Sequence, residues 1–190
     1  MARPKSEDKR NAILAAAIRV IVTQGLSAPT ATIAHEAGVA NGSLFTYFKT
    51  KADLLNQLYL ELKTEMGTAA LAGLPPDAAI RDQMFHFWSN WMRWATSNPE
   101  KRRVMAQLTV SEEITPETRI AAGKSMARIG ELLEQVRAYG PMSEAPMGLV
   151  AQMMDALVTA TENYILGDPD NAEAHSRTGF EALWRIMGSA

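Results

Sequence analysis

The stretch Thr30–Leu55, TATIAHEAGVANGSLFTYFKTKADLL, decides the fold. It reads as two very short helices joined by a tight glycine turn, followed by the capped start of a longer helix. Ile33, Ala34 and Ala37 give the first short helix a narrow apolar face, with His35 and Glu36 pointing away. Gly38 stands where a left-handed residue closes a helix. Val39 tucks into the space between the two helices. Leu44 and Phe48, four apart, form the inner face of the second helix. Asn41, Gly42, Ser43, Phe45 and Thr46 are left facing outward. Thr50 and Asp53 form a T-x-x-D capping pair for the third helix. Lys51 falls in that helix's first turn, where the dipole disfavours a cation and a phosphate would satisfy both. Helices this short persist only when packed on neighbours. A short exposed helix after such a turn is what enters a DNA major groove.

Working outward, apolar periodicity predicts helices along the whole chain and no strand alternation. A first helix, capped by Ser6, carries the stripe Ile13, Ala16, Ala17, Val20 and Ile21 up to Gly25. The helix from Lys51 carries Leu54, Leu55, Leu58, Leu62 and Met66, and Gly73 with Pro75–Pro76 stops it. A fifth, from about Asp77 to Ser97, is apolar almost all round. Asn98–Pro99 starts a sixth. Thr115–Pro116 starts a seventh that runs to about Tyr139, and two more span about 145–166 and 170–187. The expectation is an all-α chain of nine helices.

Composition narrows the function. Of 190 residues, 47% are apolar and 21% charged, an ordinary globular balance, and cysteine is absent. That removes thiol nucleophiles and disulfides. His35, His86 and His175 lie far apart, with no metal-ligand spacing, so neither a metal nor another cofactor is expected. No glycine-rich phosphate loop or nucleophile–base arrangement is visible, and an enzyme is not expected. The polar first residues and the lack of a long apolar run point to a cytoplasmic protein with no membrane partner. The net charge of −2 divides unevenly. Residues 1–51 hold seven Lys/Arg against three acids, and the remainder holds 12 against 18. A basic head on an acidic body draws DNA to one end.

The motif resembles the DNA-binding module of the TetR family of bacterial transcriptional regulators. The matching residues are Thr30, Ile33–Ala34, Ala37–Gly38–Val39, Gly42–Ser43–Leu44, Phe45, Tyr47–Phe48, Lys51 and Leu54. The specific part covers about 50 residues; beyond it the likeness is one of size and helix layout. Two departures stand out. Phe45, also placed at the DNA-binding surface, occupies the position of a tyrosine whose hydroxyl touches phosphate, so that contact is expected to be lost, and the loop Gly25–Pro29 is about one residue short.

The resemblance implies a helix-turn-helix domain over residues 1–50 and a helical regulatory domain over 51–190. It implies base-edge contacts from Asn41, Gly42, Thr46 and, through its methyl, Ala31, and phosphate contacts from Thr30, Ser43, Tyr47 and Lys51. Arg3, Lys5, Lys9 and Arg10 would form a basic arm or a free polar terminus. In the body, Met84, Phe85, Trp88, Trp91 and Met92 of the fifth helix, with Met105, Leu108, Met126, Met153, Met154 and Leu157, either line an adaptable ligand pocket or fill the core. His86, Asn90, Gln107 and Asn163 are candidates to orient a ligand. Leu149, Val150, Met153 and Leu157 of the eighth helix and Phe180, Leu183, Trp184 and Met187 of the ninth either join two copies in an isologous dimer or pack within the chain. The implied function is a homodimeric repressor that binds a palindromic double-stranded operator and is released by a small apolar or amphipathic effector. A regulator without an effector, and an activator, are the alternatives.

Overall fold

The computed structural model describes residues 5–188. Among them are ten α-helices, one short 3-10 turn and no strand. The helices are α1 (Lys5–Gln24), α2 (Thr30–Glu36), α3 (Asn41–Tyr47), α4 (Lys51–Leu71), α5 (Ile80–Ser97), α6 (Pro99–Thr109), α7 (Pro116–Ser125), α8 (Ala127–Arg137), α9 (Met147–Gly167) and α10 (Ala172–Met187). The all-α class is as the periodicity indicates. Because α1 already contains Lys5, Ser6 lies inside the helix and not at its cap.

The expected seventh helix is two. Met126 (φ −103°, ψ 8°) leaves helical geometry, and its carbonyl accepts the amides of Ile129 and Gly130 to begin α8. The apolar pattern explains the break. α8 buries Ile129, Leu132, Leu133 and Val136 on one face, whereas α7 buries only Ala122, so no single stripe runs through both.

The chain forms two compact units, with boundaries inside α4, between α5 and α6, and at the end of α7. The first comprises residues 1–64 and 98–124. Here α1 packs on α2 and α6, and α2 on α3. Its core takes Ile13, Ala16, Ala17, Val20 and Ile21 from α1, with Ile33, Leu44, Phe48, Leu54, Leu58 and Leu62. Asn56, buried on α4, ties this helix to the loop before α7. It donates to the carbonyls of Ala52 and Glu113 at 2.8 and 2.7 Å, and accepts the Thr115 amide at 2.9 Å.

The second unit comprises residues 65–97 and 125–190. α5 is central, packing on α8, α9 and α10, and α9 packs along α10. Met84, Phe87, Trp88, Trp91, Met92 and Trp94 are all buried. Gly179 permits the α9–α10 approach: a Cβ there would lie 2.4 Å from Thr161 Oγ1 and 2.8 Å from Trp88 Cζ2. On the rim, Arg81 Nη2 donates to both carboxylate oxygens of Glu181 and the guanidinium lies over the Phe180 and Trp184 rings, joining α5 to α10.

Candidate nucleic-acid interface and regulatory core

The turn between α2 and α3 is built by backbone geometry. Gly38 has φ +68°, its amide donates to His35 O at 3.0 Å, and the Val39 amide donates to Ala34 O at 3.0 Å. This double closure uses up the last α2 carbonyls and requires a residue tolerant of positive φ. The chain then re-enters a helix at Asn41, and its phase is fixed by Leu44 and Phe48, both fully buried. Asn41, Gly42, Ser43, Phe45 and Thr46 are consequently exposed, and Tyr47 is half-buried. Thr30 opens α2, half-buried, with Ala31 exposed beside it.

Thr50 caps α4 by accepting the Asp53 amide at 3.0 Å. Asp53 reaches back one residue further than a capping box requires, accepting the Lys49 amide at 2.9 Å and the Gln57 side chain at 2.8 Å. Its carboxylate is therefore committed to the turn, and Lys51, the first residue of α4, has no side-chain partner among the described residues. Thr30, Asn41, Ser43, Thr46 and Tyr47 likewise make no side-chain hydrogen bond within the described protein. These six side chains of the α2–α3 segment and the first turn of α4 thus keep open hydrogen-bonding capacity.

Arg10 does not belong to a basic arm. It is a half-buried residue of α1 that pairs with Glu61, donates to Gln57 Oε1 at 2.9 Å and stacks over the Phe48 ring at 5.7 Å. Its charge is spent in holding α1 to α4. Lys9 is exposed on α1, whereas Arg3 and the Lys5 side chain lie outside the described residues.

In the second unit, two of the three α5 indoles are satisfied. Trp88 Nε1 donates to Ser176 O at 2.9 Å and Trp94 Nε1 to Glu65 Oε1 at 3.1 Å. Trp91 Nε1 is buried with no partner among the described residues, although its ring packs edge-on against Phe87 at 5.6 Å. Met154 is buried near this core on α9, Phe85, Met126, Met153 and Leu157 are half-buried, and Met105 and Leu108 are buried in the first unit. A cleft of about 220 Å³ is lined by Arg81, Asp82, Phe85, Arg177, Phe180 and Glu181, so Phe85 alone of the expected pocket residues borders it.

His86 and Asn90 have other work than orienting a ligand. His86 Nε2 lies 2.8 Å from Ala72 O, and Asn90 Nδ2 donates to the carbonyls of Ala70 and Ala72 at 3.3 and 2.8 Å. Arg93 donates to Asn90 Oδ1 at 2.8 Å. His86 and Asn90 thus satisfy one carbonyl in the last turn of α4 and one in the turn just after it. Gln107 is half-buried in the first unit and Asn163 is exposed on α9.

Of the residues expected at a dimer surface, Val150, Phe180, Leu183 and Met187 are buried within the chain itself. Phe180, for one, packs edge-on against Phe85 of α5 at 4.9 Å. Trp184, Met153 and Leu157 are half-buried, and Leu149 is exposed. The outer face of α9 continues through Ala156, Ala160 and Tyr164, all exposed. Where α9 meets α10, His175 Nε2 lies 2.8 Å from Asp168 Oδ2 and Asn171 donates to the same carboxylate at 3.0 and 3.1 Å. The His175 contact, then the Asn171 donor, hold the Asp168 carboxyl below its ordinary range.

Sequence reasoning passed over Asn56. The available signal was the amide pair Asn56–Gln57 set between Leu55 and Leu58, with Asn56 falling next to the apolar stripe.

These features can be compared with known proteins. Residues 13–58 match the family of bacterial regulatory proteins, tetR family. A TetR-family transcription regulator of Shewanella sp. PV-4 has the same fold at a TM-score of 0.86 and 30% identity, covering 96% of this chain and 99% of its own. One from Marinobacter aquaeolei VT8 matches at 0.87 over the whole of both chains, and at 22% identity attests the fold. The HTH-type transcriptional regulator AcrR of Shigella flexneri is 27% identical over 112 residues, 56% of this chain. The match spans 50% of that relative's length. With the helix-turn-helix geometry above, these likenesses identify the chain as a member of the TetR family of bacterial transcription regulators.

Proposed function

We propose that this regulator is a homodimeric, cytoplasmic repressor that reads a palindromic operator through α3 and is released by a small apolar or amphipathic effector. DNA reading is assigned to residues 1–50, regulation to residues 51–190, and no catalytic activity is assigned. The observation that carries the reading is the set of polar side chains without protein partners on α2, α3 and the first turn of α4. Asn41 is suited to bidentate pairing with adenine and Thr46 to a thymine methyl, with Gly42 and Ala31 allowing close approach. Thr30, Ser43, Tyr47 and Lys51 suit phosphate oxygens, which set register.

The exposed apolar face of α9, with Leu149, Ala156, Ala160 and Tyr164, supports self-association. A two-fold dimer would present two α3 helices to half-sites about one helical turn apart or somewhat more. The unpartnered Trp91 Nε1 supports an effector, since a buried donor without a partner costs about 1–3 kcal/mol and a ligand acceptor would relieve it. Full burial of Phe87 and Trp88 favours a second reading, a regulator whose core is filled and which takes no effector. Release of operator DNA separates the two. Saturable release by one class of apolar compound supports the first; stable operator binding across a broad apolar library, with ligand-free protein, supports the second.

A further inference from the structure

We infer that Phe45 is a base-reading residue that selects thymine, through its 5-methyl group, at a defined position of each operator half-site. The inference rests on the operator reading above and adds to it the chemical group recognised. Leu44 is fully buried, and the next residue, Phe45, is 42% exposed. A phenyl ring held in water on a seven-residue helix has no folding reason to be aromatic. Leu44 and Phe48 already supply the inward face. One turn earlier, Asn41 occupies the same outward face, and Gly42, three residues before Phe45, leaves it unshielded. The residues around the ring are therefore the polar ones with open bonding capacity.

What the ring can meet on DNA follows from its chemistry. Without a hydroxyl it can neither donate to a phosphate nor pair with a base-edge donor or acceptor. The one apolar group displayed on base edges in the major groove is the thymine methyl. The i, i+4 spacing separates Asn41 and Phe45 by about 6 Å along the helix axis, so the selected thymine lies within about two base pairs of the base read by Asn41.

The test replaces each thymine of the protein's selected operator duplex, one at a time, by deoxyuridine, which removes only the methyl group. Wild type is expected to lose about fourfold in affinity at one symmetric thymine per half-site and to tolerate the change elsewhere. Phe45→Ala should bind the thymine and deoxyuridine duplexes equally, while Phe45→Leu keeps part of the discrimination. Since the side chain is exposed, melting temperatures should stay at the wild-type value. Specific binding by wild type that is indifferent to deoxyuridine at every position overturns this inference alone. So does equal discrimination by wild type and Phe45→Ala. Absence of any sequence-specific binding overturns the operator reading and this inference with it.

Discussion

The Thr115 amide donates to Asn56 Oδ1 at 2.9 Å, joining two residues 59 positions apart, while Asn56 Nδ2 holds the Glu113 carbonyl at 2.7 Å. One side chain thus satisfies a donor and an acceptor of the α6–α7 loop from the middle of α4. Both loop groups would be left without their partner by a leucine of similar size. Asn56→Leu is expected to destabilise the protein by about 2 kcal/mol in urea unfolding, although it adds apolar surface. An unchanged or raised midpoint would show that the clasp contributes nothing.

Gly42 has no reason within the protein to be glycine. Its φ is not in the left-handed region, and a Cβ there would meet nothing within 4 Å. Gly42→Ala should raise stability by about 0.5–1 kcal/mol, because glycine is costly inside a helix. If the missing side chain lets DNA approach the backbone, the same change weakens operator binding at least tenfold. Stabilisation without loss of affinity would remove Gly42 from the interface.

Gly179 is the opposite case, since its Cβ would collide with Thr161 and Trp88. Gly179→Val should cost about 2 kcal/mol in thermal or urea unfolding by forcing α9 and α10 apart. A neutral result would mean that the two helices separate without penalty.

Acid should loosen the α9–α10 turn. Asp168 is held below its ordinary range by His175 and then Asn171, so the folded state favours its ionised form. A depressed carboxyl stabilises above its unfolded pKa and loses that contribution as pH falls through the folded value. Wild type should therefore melt above Asp168→Asn at pH 5, and the gap should narrow below about pH 4. Because the site is exposed, the gap is small, and one that widened on acidification would contradict the assignment.

The local grammar of the head was readable in the sequence. Glycine at 38 admits the positive φ that the turn needs, and Leu44 with Phe48 fixes the phase of α3, which in turn exposes Asn41 and Phe45. Periodicity says less about partners. The stripe Phe180, Leu183 and Met187 reads the same whether it meets a second copy or α5 and α9 of its own chain. His86 and Asn90 look like ligand groups on an apolar helix until the carbonyls of Ala70 and Ala72, at and just beyond the end of α4, are in view. The grouping of residues 98–124 with the first unit is a long-range pairing that no local pattern encodes.

The most direct test of the account is selection of DNA from sheared genomic fragments at about 0.15 M salt, with wild type beside Lys51→Ala and Asn41→Ala. Wild type should recover one or a few palindromic sites. Lys51→Ala should bind them all more weakly and lower the salt slope by about 0.9 for each lysine removed, whereas Asn41→Ala should change the preferred base at one position. Recovery of random fragments by ligand-stripped wild type, or identical site preferences for all three proteins, would contradict the claim that α3 reads sequence.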